Sequence, residues 1–340
     1  MHGHGMTLVR STLLDSITKD MLGLEVAPWF NPIASRKAGY NVRTLDVFDD
    51  KKLMARAKSD PTILPDTYDR LEAVDYVGSA TEIAALVDTD DHGTFDYVIS
   101  SHNFEHLPNP IKFLQGCEAL LKPGGQLIMV LPDGRTCFDY FRPHTEIGEW
   151  LEAFLEDRVQ PNGRQVFAFY ASIATAEHGG MSGPTAVSDK TPPSKIEIER
   201  SIADQWADWT AGKAAAEYVD THCSVFTPAS FHLLIAECRA LGLTALDVAE
   251  VGGTHGVEFC VRLVRGPSAP DRSDPAAARA ERTNLLRQVW EEHSVRHSPA
   301  GGLSVAEVVK ARKDKARGGL LAPLRAWNRR RLQQRRDRQG

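Results

Sequence analysis

Two imidazoles, a carboxylate, a carboxamide and a hydroxyl fall within six positions at Ser101-His102-Asn103-Phe104-Glu105-His106. His102, Glu105 and His106 have the H-x-x-E-H spacing, which on a helix sets two histidines at i and i+4 to bind zinc beside a glutamate base. The flanking residues oppose a helix. Tyr97-Val98-Ile99-Ser100 is short, apolar and β-branched, and Pro108 and Pro110 end any helix within a turn. A polar loop after a buried strand is a different object. Open α/β sheets bind ligands at the carboxyl ends of their strands, so this loop is expected to border a ligand without holding a metal. Histidine titrates near neutrality, which makes His102 the leading candidate for a general base; a satisfied structural histidine is the alternative.

The elements that must position this loop are legible around it. Residues 95–133 read as strand, polar loop, helix, glycine turn and buried strand, the helix opening at Pro108 and Pro110 and closing at Lys122-Pro123-Gly124-Gly125. The glycines of residues 120–125 follow a helix, whereas an anion site would precede one, so they read as structural. Upstream, Leu22–Val26, Asn41–Leu45 and Val74–Val77 read as strands, spaced for crossover helices and a mainly parallel sheet. Residues 134–220 lose this regularity: Glu149–Glu156 and Ala203–Tyr218 read as helical, and Glu177–Lys195, rich in Gly, Ser, Thr and Pro, as a loop or lid. Phe231–Leu241 is a helix, and Ala245–Val251 with Glu258–Val264 an antiparallel hairpin. The boundaries read as a lead-in over 1–20, a domain over 21–265, a linker over 266–275, and an isolated amphipathic helix then a basic tail over 276–340.

A chain of 340 residues, 42% hydrophobic, can bury a sizeable core. It has no apolar run of membrane-spanning length and no signal-peptide pattern at Met1-His2-Gly3-His4-Gly5-Met6, which makes the cytoplasm the default location. The five cysteines lack CxxC spacing, so neither a disulfide framework nor a cysteine zinc site is expected. The net charge of −5 conceals a tail, residues 310–340, with 12 Lys/Arg against 2 Asp/Glu. Leu320–Trp327 followed by Arg329-Arg330-Arg331 could lie on an anionic membrane surface, with a solvated tail as the bland alternative. Nucleic acid is a poorer fit, because the tail has one tryptophan and no stacking platform.

LEVAPWFNPI, NVRTLD, FDYVISSHNFEHL and LLKPGGQLIMVLPD together resemble the class I S-adenosylmethionine-dependent methyltransferases over residues 22–265. PDGRTCFDYFRPHTEI, RVQPNGRQVF and HCSVFTPASF resemble a bacterial methyltransferase-domain branch associated with glycan or cell-surface biosynthesis. The resemblance implies an α/β, Rossmann-like fold: a mainly parallel seven-stranded sheet closed by a C-terminal antiparallel hairpin, with helices on both faces.

It also implies S-adenosylmethionine as cofactor and methyl transfer to a small molecule or glycan, with oxygen the expected acceptor atom. Glu25 would lie near the methionine end of the cofactor, or form a structural ion pair. Asp46, ending the second strand, would hold the ribose hydroxyls, or serve as a helix cap. Ser79 stands where many relatives have an acid that reads adenine, with Asp75 as a substitute or a structural group. Ser101 and His102 would sit near the cofactor, Glu105 and His106 toward the acceptor. Arg142 and His222 are acceptor-side candidates, His144 a weaker one, and Arg142 could instead pair with Asp133 or Asp139.

The sequence departs from the family at the usual glycine-rich turn, replaced by Ala27-Pro28-Trp29-Phe30-Asn31-Pro32. Glycines let backbone amides approach a ligand, and the prolines remove two donors. Ala27 is still small, Pro28 shapes the turn, and Asn31 can supply a side-chain amide. That departure motivates a second reading, a catalytically silent Rossmann-like binding or scaffold module in a glycan pathway. A zinc hydrolase using His102, Glu105 and His106 is the third.

Overall fold

The computed structural model describes residues 14–60, 63–212, 220–266 and 275–296. The basic tail, the proposed linker except at its ends, and most of the N-terminal lead-in lie outside the described residues. The chain falls into two compact units, 1–290 and 291–340. Of the second, only 291–296 are described.

Seven strands form the main sheet: β1 (Gly23–Val26), β2 (Val42–Asp46), β3 (Tyr76–Val77), β4 (Phe95–Ser101), β5 (Leu121–Pro132), β9 (Leu246–Val251) and β10 (Glu258–Arg265). Their order is β3-β2-β1-β4-β5-β10-β9. β1 through β5 pair in parallel, and β10 inserts antiparallel between β5 and β9. Val26 of β1 pairs with Leu45 of β2 and Ser100 of β4, so three strands end at one edge. Whatever follows Val26, Leu45 and Ser100 is therefore brought together there. The expected parallel sheet and terminal hairpin are both present.

The central strand is closely packed at its start. A Cβ on Gly23 would lie 2.0 Å from Tyr97 Cζ, so only glycine lets this ring cross the strand. The larger core contains Leu24, Val98, Leu127, Met129 and Val261; on the other face Tyr97, Ile99, Ile128 and Val130 pack with Ile17, Ile33 and Ala34. Alternation along β4 and β5 therefore buries both faces, as an interior parallel strand requires.

Helix α1 (Asp50–Ser59) follows β2, and α2 (Ile83–Leu86) follows β3. Helix α3 (Pro110–Leu120) joins β4 to β5. It begins at Asn109, whose side chain accepts from the Lys112 amide at 3.1 Å, with Pro110 in the first turn. Gly124, at φ 78°, then turns the chain within the first residues of β5.

The segment after β5 combines helices with a small sheet. It holds α4 (Ile147–Leu155), α5 (Gly163–Tyr170), α6 (Ile202–Thr210) and a three-stranded antiparallel sheet, β6 (Ala174–His178), β7 (Met181–Gly183) and β8 (Ile196–Ile198), ordered β7-β6-β8. Of the expected loop Glu177–Lys195, only the end of β6 and all of β7 are strand. The β6–β7 turn is Gly179-Gly180, both left-handed at φ 59° and 81°, a two-residue hairpin connection that glycine adopts without strain. Its strands are only three to five residues long, which explains why composition suggested a loop. The expected helix over Ala203–Tyr218 is described only to Thr210, where α6 ends.

The C-terminal helix is not isolated. After α7 (Pro228–Ala240), helix α8 (Pro275–Arg296) packs Leu285 and Val289 against Ala229 and Leu233, and Arg282 Nε lies 2.6 Å from Glu237 Oε1. Among the described residues, no helix is long and apolar enough to cross a membrane.

Gly23→Ala should cost about 1–3 kcal/mol, because the new methyl must displace the buried Tyr97 ring. Urea denaturation of the variant beside the parent checks it; an unchanged midpoint would refute the packing argument.

Candidate active site

At the carboxyl edge, Ala27 donates its amide to Leu45 O at 2.8 Å, and Gly78 donates to Asp46 O at 2.9 Å. These bonds set the loop after β1, the end of β2 and Ser79 side by side. Glu25 is buried and faces the same loop, accepting from the amides of Ile33 at 2.6 Å and Ala34 at 2.9 Å. Its carboxylate is a clamp on the chain beyond Phe30, worth about 1.5–3 kcal/mol per charge-assisted bond. The structure thus occupies Glu25 with backbone.

The loop itself has an unusual backbone. Ala27 and Trp29 are both left-handed, at φ 50° and 48°, and Asn31 donates its amide to Pro28 O at 3.0 Å. Those are conformations glycine would adopt freely, so the missing glycines are replaced by residues held under strain of about 1–2 kcal/mol each. Trp29 also packs edge-on against Phe30, at 4.9 Å between centroids. Of the four non-glycine residues with positive φ among the described residues, three (Ala27, Trp29 and His102) lie after β1 or β4. Strain of this type collects at ligand sites.

Asp46 ends β2 with only 5% of its surface exposed, accepting a long 3.3 Å bond from the Phe48 amide. Burial pushes its carboxyl up to about 6, against the opposing pull of the Phe48 and Val47 amides. It does not cap the next helix, because Asp49 accepts the Lys52 amide there at 2.7 Å. Asp75, the alternative reader of adenine, is bound to Arg36 and to the Thr44 amide. Ser79 caps a short 3-10 turn over Ala80–Glu82, accepting from the Thr81 amide at 3.3 Å.

Past Ser101 the chain enters a cavity of about 470 Å³. His102 is bonded through Nε2 to Glu258 Oε2 at 2.6 Å, and its Nδ1 lies 3.7 Å from Glu105 Oε1. Burial works against the charged ring, but the Glu258 bond and the Glu105 charge outweigh it and raise its pKa. Phe104 to His106 form a single 3-10 turn. That turn excludes the helical zinc arrangement, in which His102 and His106 would share one helix face. Phe104 anchors the turn among Phe113, Trp150, Phe226 and Phe231, with centroids 5.6 to 6.0 Å away.

This anchor buries Glu105 completely, and neither carboxylate oxygen has a hydrogen-bond partner. The backbone around it is fully used, since Cys223 and Ser224 donate their amides to Glu105 O at 2.7 and 3.0 Å. His222 is thereby delivered to the cavity. Its Nδ1 lies 2.5 Å from Asp139 Oδ2, and its ring meets that of His106 edge-on at 4.6 Å. His106 Nδ1 lies 3.0 Å from Asp220 Oδ1, and its Nε2 lies 3.7 Å from Glu105 Oε1. Burial resists protonation of His106, but Asp220 and Glu105 outweigh it and raise its pKa. Phe138, Phe169 and Tyr170 supply an aromatic wall.

Of the expected acceptor-side residues, His222 lines this cavity and Arg142 does not. Arg142 is bonded to Asp139 at 2.7 Å and to His222 O at 2.9 Å, so it braces the pair from behind. Burial alone would raise the Asp139 carboxyl; His222 and Arg142 together hold it below the ordinary value. His144 is not a cavity residue, and its pKa is lowered by burial. Asp139, Asp220 and Glu258 were not singled out as site residues, although each buttresses a cavity histidine. No local spacing marks them, because their partners lie 83, 114 and 156 positions away.

A profile of the methyltransferase domain matches residues 23–248. The ubiquinone biosynthesis O-methyltransferase of Actinobacillus pleuropneumoniae serotype 7 is 32% identical over 94 residues, which covers 28% of this chain and 37% of that protein. The one from Colwellia psychrerythraea is 29% identical over 139 residues, covering 34% of this chain and 52% of that protein. The chain therefore spans between about a third and a half of the length of these curated relatives. Among solved structures, the PH0226 protein of Pyrococcus horikoshii is similar at 14% identity, with 76% of this chain and 89% of that chain covered and a TM-score of 0.39. A SAM-dependent methyltransferase of Methanosarcina mazei is similar at 14% identity, with 75% and 97% covered and a TM-score of 0.37.

Ala27→Gly should stabilise the fold by about 0.5–1 kcal/mol by relieving a left-handed alanine, while Ala27→Val should destabilise it by more than about 1 kcal/mol. Thermal melts of both variants test this; a glycine variant less stable than the parent would contradict the strained-loop reading.

Proposed function

The chain belongs to the methyltransferase domain family, and from that premise we propose that it is an S-adenosylmethionine-dependent methyltransferase acting on the hydroxyl of a small molecule or glycan. The observation that carries this reading is Asp46, a buried carboxylate at the end of β2 contacted by the amides of Val47 and Phe48, beside the left-handed turn of Ala27 and Trp29. A vicinal diol offers two hydroxyl donors to such a group. Ala27, Pro28 and Asn31 would line the path of the cofactor's chain, with Ser79 and Ser101 flanking its nucleoside and sulfonium ends. The left-handed turn of Ala27 and Trp29 supports the enzyme over a silent binding module, because it lets the backbone approach a ligand closely without glycines.

In the reaction proposed, the acceptor oxygen attacks the sulfonium methyl carbon as the carbon–sulfur bond breaks. The products are a methyl ether and S-adenosylhomocysteine, and the hydroxyl proton passes to a base. His102 suits that role. Its side chain is about 38% exposed, follows Ser101 directly, and is oriented by Glu258. The protein's main contribution would be alignment and exclusion of water.

Oxygen is favoured because a hydroxyl needs a proton acceptor at the moment of attack, and the cavity offers imidazoles and a carboxylate. A volume of about 470 Å³ and an aromatic wall suit a ring-sized acceptor. The relatives' names, as ubiquinone biosynthesis O-methyltransferases, agree with methyl transfer to oxygen.

Calorimetry should give saturable binding of S-adenosylmethionine and S-adenosylhomocysteine; no heat at millimolar ligand would overturn the proposal. Asp46→Ala should weaken binding by about 10- to 100-fold, the equivalent of one charge-assisted interaction.

Affinity should also fall as pH drops below about 6, where Asp46 takes up a proton and loses acceptor capacity. The sign follows from linkage: hydroxyl donors favour the ionised carboxylate, so binding lowers its pKa and strengthens as pH rises through 6. The same titration with Asp46→Ala should be flat in that window.

A further inference from the structure

We propose that Glu105, His106 and His222 form a binding site for one divalent first-row transition-metal cation such as Zn²⁺ or Co²⁺, open toward the cavity. One ligand atom from each residue lies within 4.8 Å of the others. Ligand atoms about 2.0–2.2 Å from a tetrahedral ion stand roughly 3.3–3.6 Å from one another, so closure draws the three together by up to about an ångström.

Two independent features point to a cation. The first is Glu105. It has no exposed surface, and both oxygens lack hydrogen-bond partners. The rings of His102 and His106 stand 3.7 Å from it, beyond hydrogen-bond reach, and a buried carboxylate so loosely paired is costly unless a cation binds it. The second is how the histidines are held. His222 Nδ1 is engaged by Asp139 at 2.5 Å, and His106 Nδ1 faces Asp220 at 3.0 Å. Each ring therefore has Nε2 left for a ligand, and that of His106 lies 3.7 Å from Glu105. Carboxylates behind histidine ligands fix the tautomer and raise the basicity of the coordinating nitrogen.

Two imidazoles and one carboxylate suit Zn²⁺ or its analogue Co²⁺ better than Mg²⁺, Ca²⁺ or Mn²⁺, which prefer oxygen shells. Three protein ligands leave positions open on the aromatic side of the cavity. This site revises the expectation of a metal-free loop: Glu105 and His106 of the H-x-x-E-H sequence contribute, but the third ligand is His222, 116 residues beyond His106 in the chain. The site stands without the methyltransferase reading, but its role rests on it. A bound cation would coordinate the acceptor hydroxyl and lower its pKa, easing proton loss before methyl transfer.

The test uses the full chain, stripped with chelator and titrated with Co²⁺ and Zn²⁺ in the absence of cofactor. Expected results are one equivalent bound, a visible Co²⁺ spectrum with nitrogen ligation, and a Zn²⁺-dependent rise in melting temperature. Glu105→Gln should lose at least 100-fold in affinity while its metal-free form stays folded, since the amide keeps the shape of the side chain. His222→Ala should lose binding too, and His178→Ala, in β6, should not.

No stoichiometric metal at 100 μM free Co²⁺ or Zn²⁺ (a concentration of about the weakest useful site) would overturn the proposal. So would Glu105→Gln binding as the parent does. A chain that binds metal yet gives no heat with S-adenosylmethionine would keep this inference and defeat the methyltransferase reading; the reverse pattern would do the opposite.

Discussion

A carboxylate taken out of water must be paired, protonated or bound to a cation, and Glu105 meets that constraint in its severest form in this fold. Its position follows from its neighbour Phe104. Four aromatic rings enclose that side chain, and once it is seated the short 3-10 turn has no freedom to carry Glu105 back to solvent. The amides of Cys223 and Ser224 then close on the Glu105 carbonyl. Apolar packing thus supplies the force that holds a polar centre together.

The same constraint organises what surrounds it. Two histidines of its own loop and a third from a distant segment surround the carboxylate, and each has an acid behind it: Glu258 from the first residue of β10, Asp220 and Asp139 from the region after β5. Arg142 then braces Asp139 and the backbone of His222 together. Removing any one of these groups would leave another buried charge without its partner, so the cluster behaves as a unit whose members are not additive. The inserted residues between β5 and α7 therefore complete the cavity as well as roofing the sheet.

At the other end of the same edge, strain and burial act together. Glu25 clamps the chain beyond the loop, and that clamp lets Ala27 and Trp29 persist in left-handed conformations. Replacing glycines with these residues costs stability, but their backbone path keeps the turn tight against Leu45. Asp46 is adjacent and poorly solvated, with its carboxyl raised to about 6. One sheet edge thus presents a buried carboxylate on one side of β4 and an imidazole-rich cavity on the other.

Sequence alone determined the sheet. The apolar strands, the glycine and proline stops and the final hairpin are local signals, and hydrophobic periodicity together with turn chemistry suffices to read them. It also located the polar loop of His102, Glu105 and His106, and Asp46 at its strand end. It did not reveal the small sheet around Gly179-Gly180, whose strands are too short to show a period, or the docking of α8 on α7. Nor did it show that Glu25 is bound to the Ile33 and Ala34 amides and Asp75 to Arg36 and the Thr44 amide, or that Arg142 stands behind the cavity. Those outcomes depend on which distant segment supplies the partner. Tertiary structure alone decided that His222 completes the cluster with Glu105 and His106, because long-range pairing is set by packing of the whole core, whereas residue spacing encodes only neighbours along the chain.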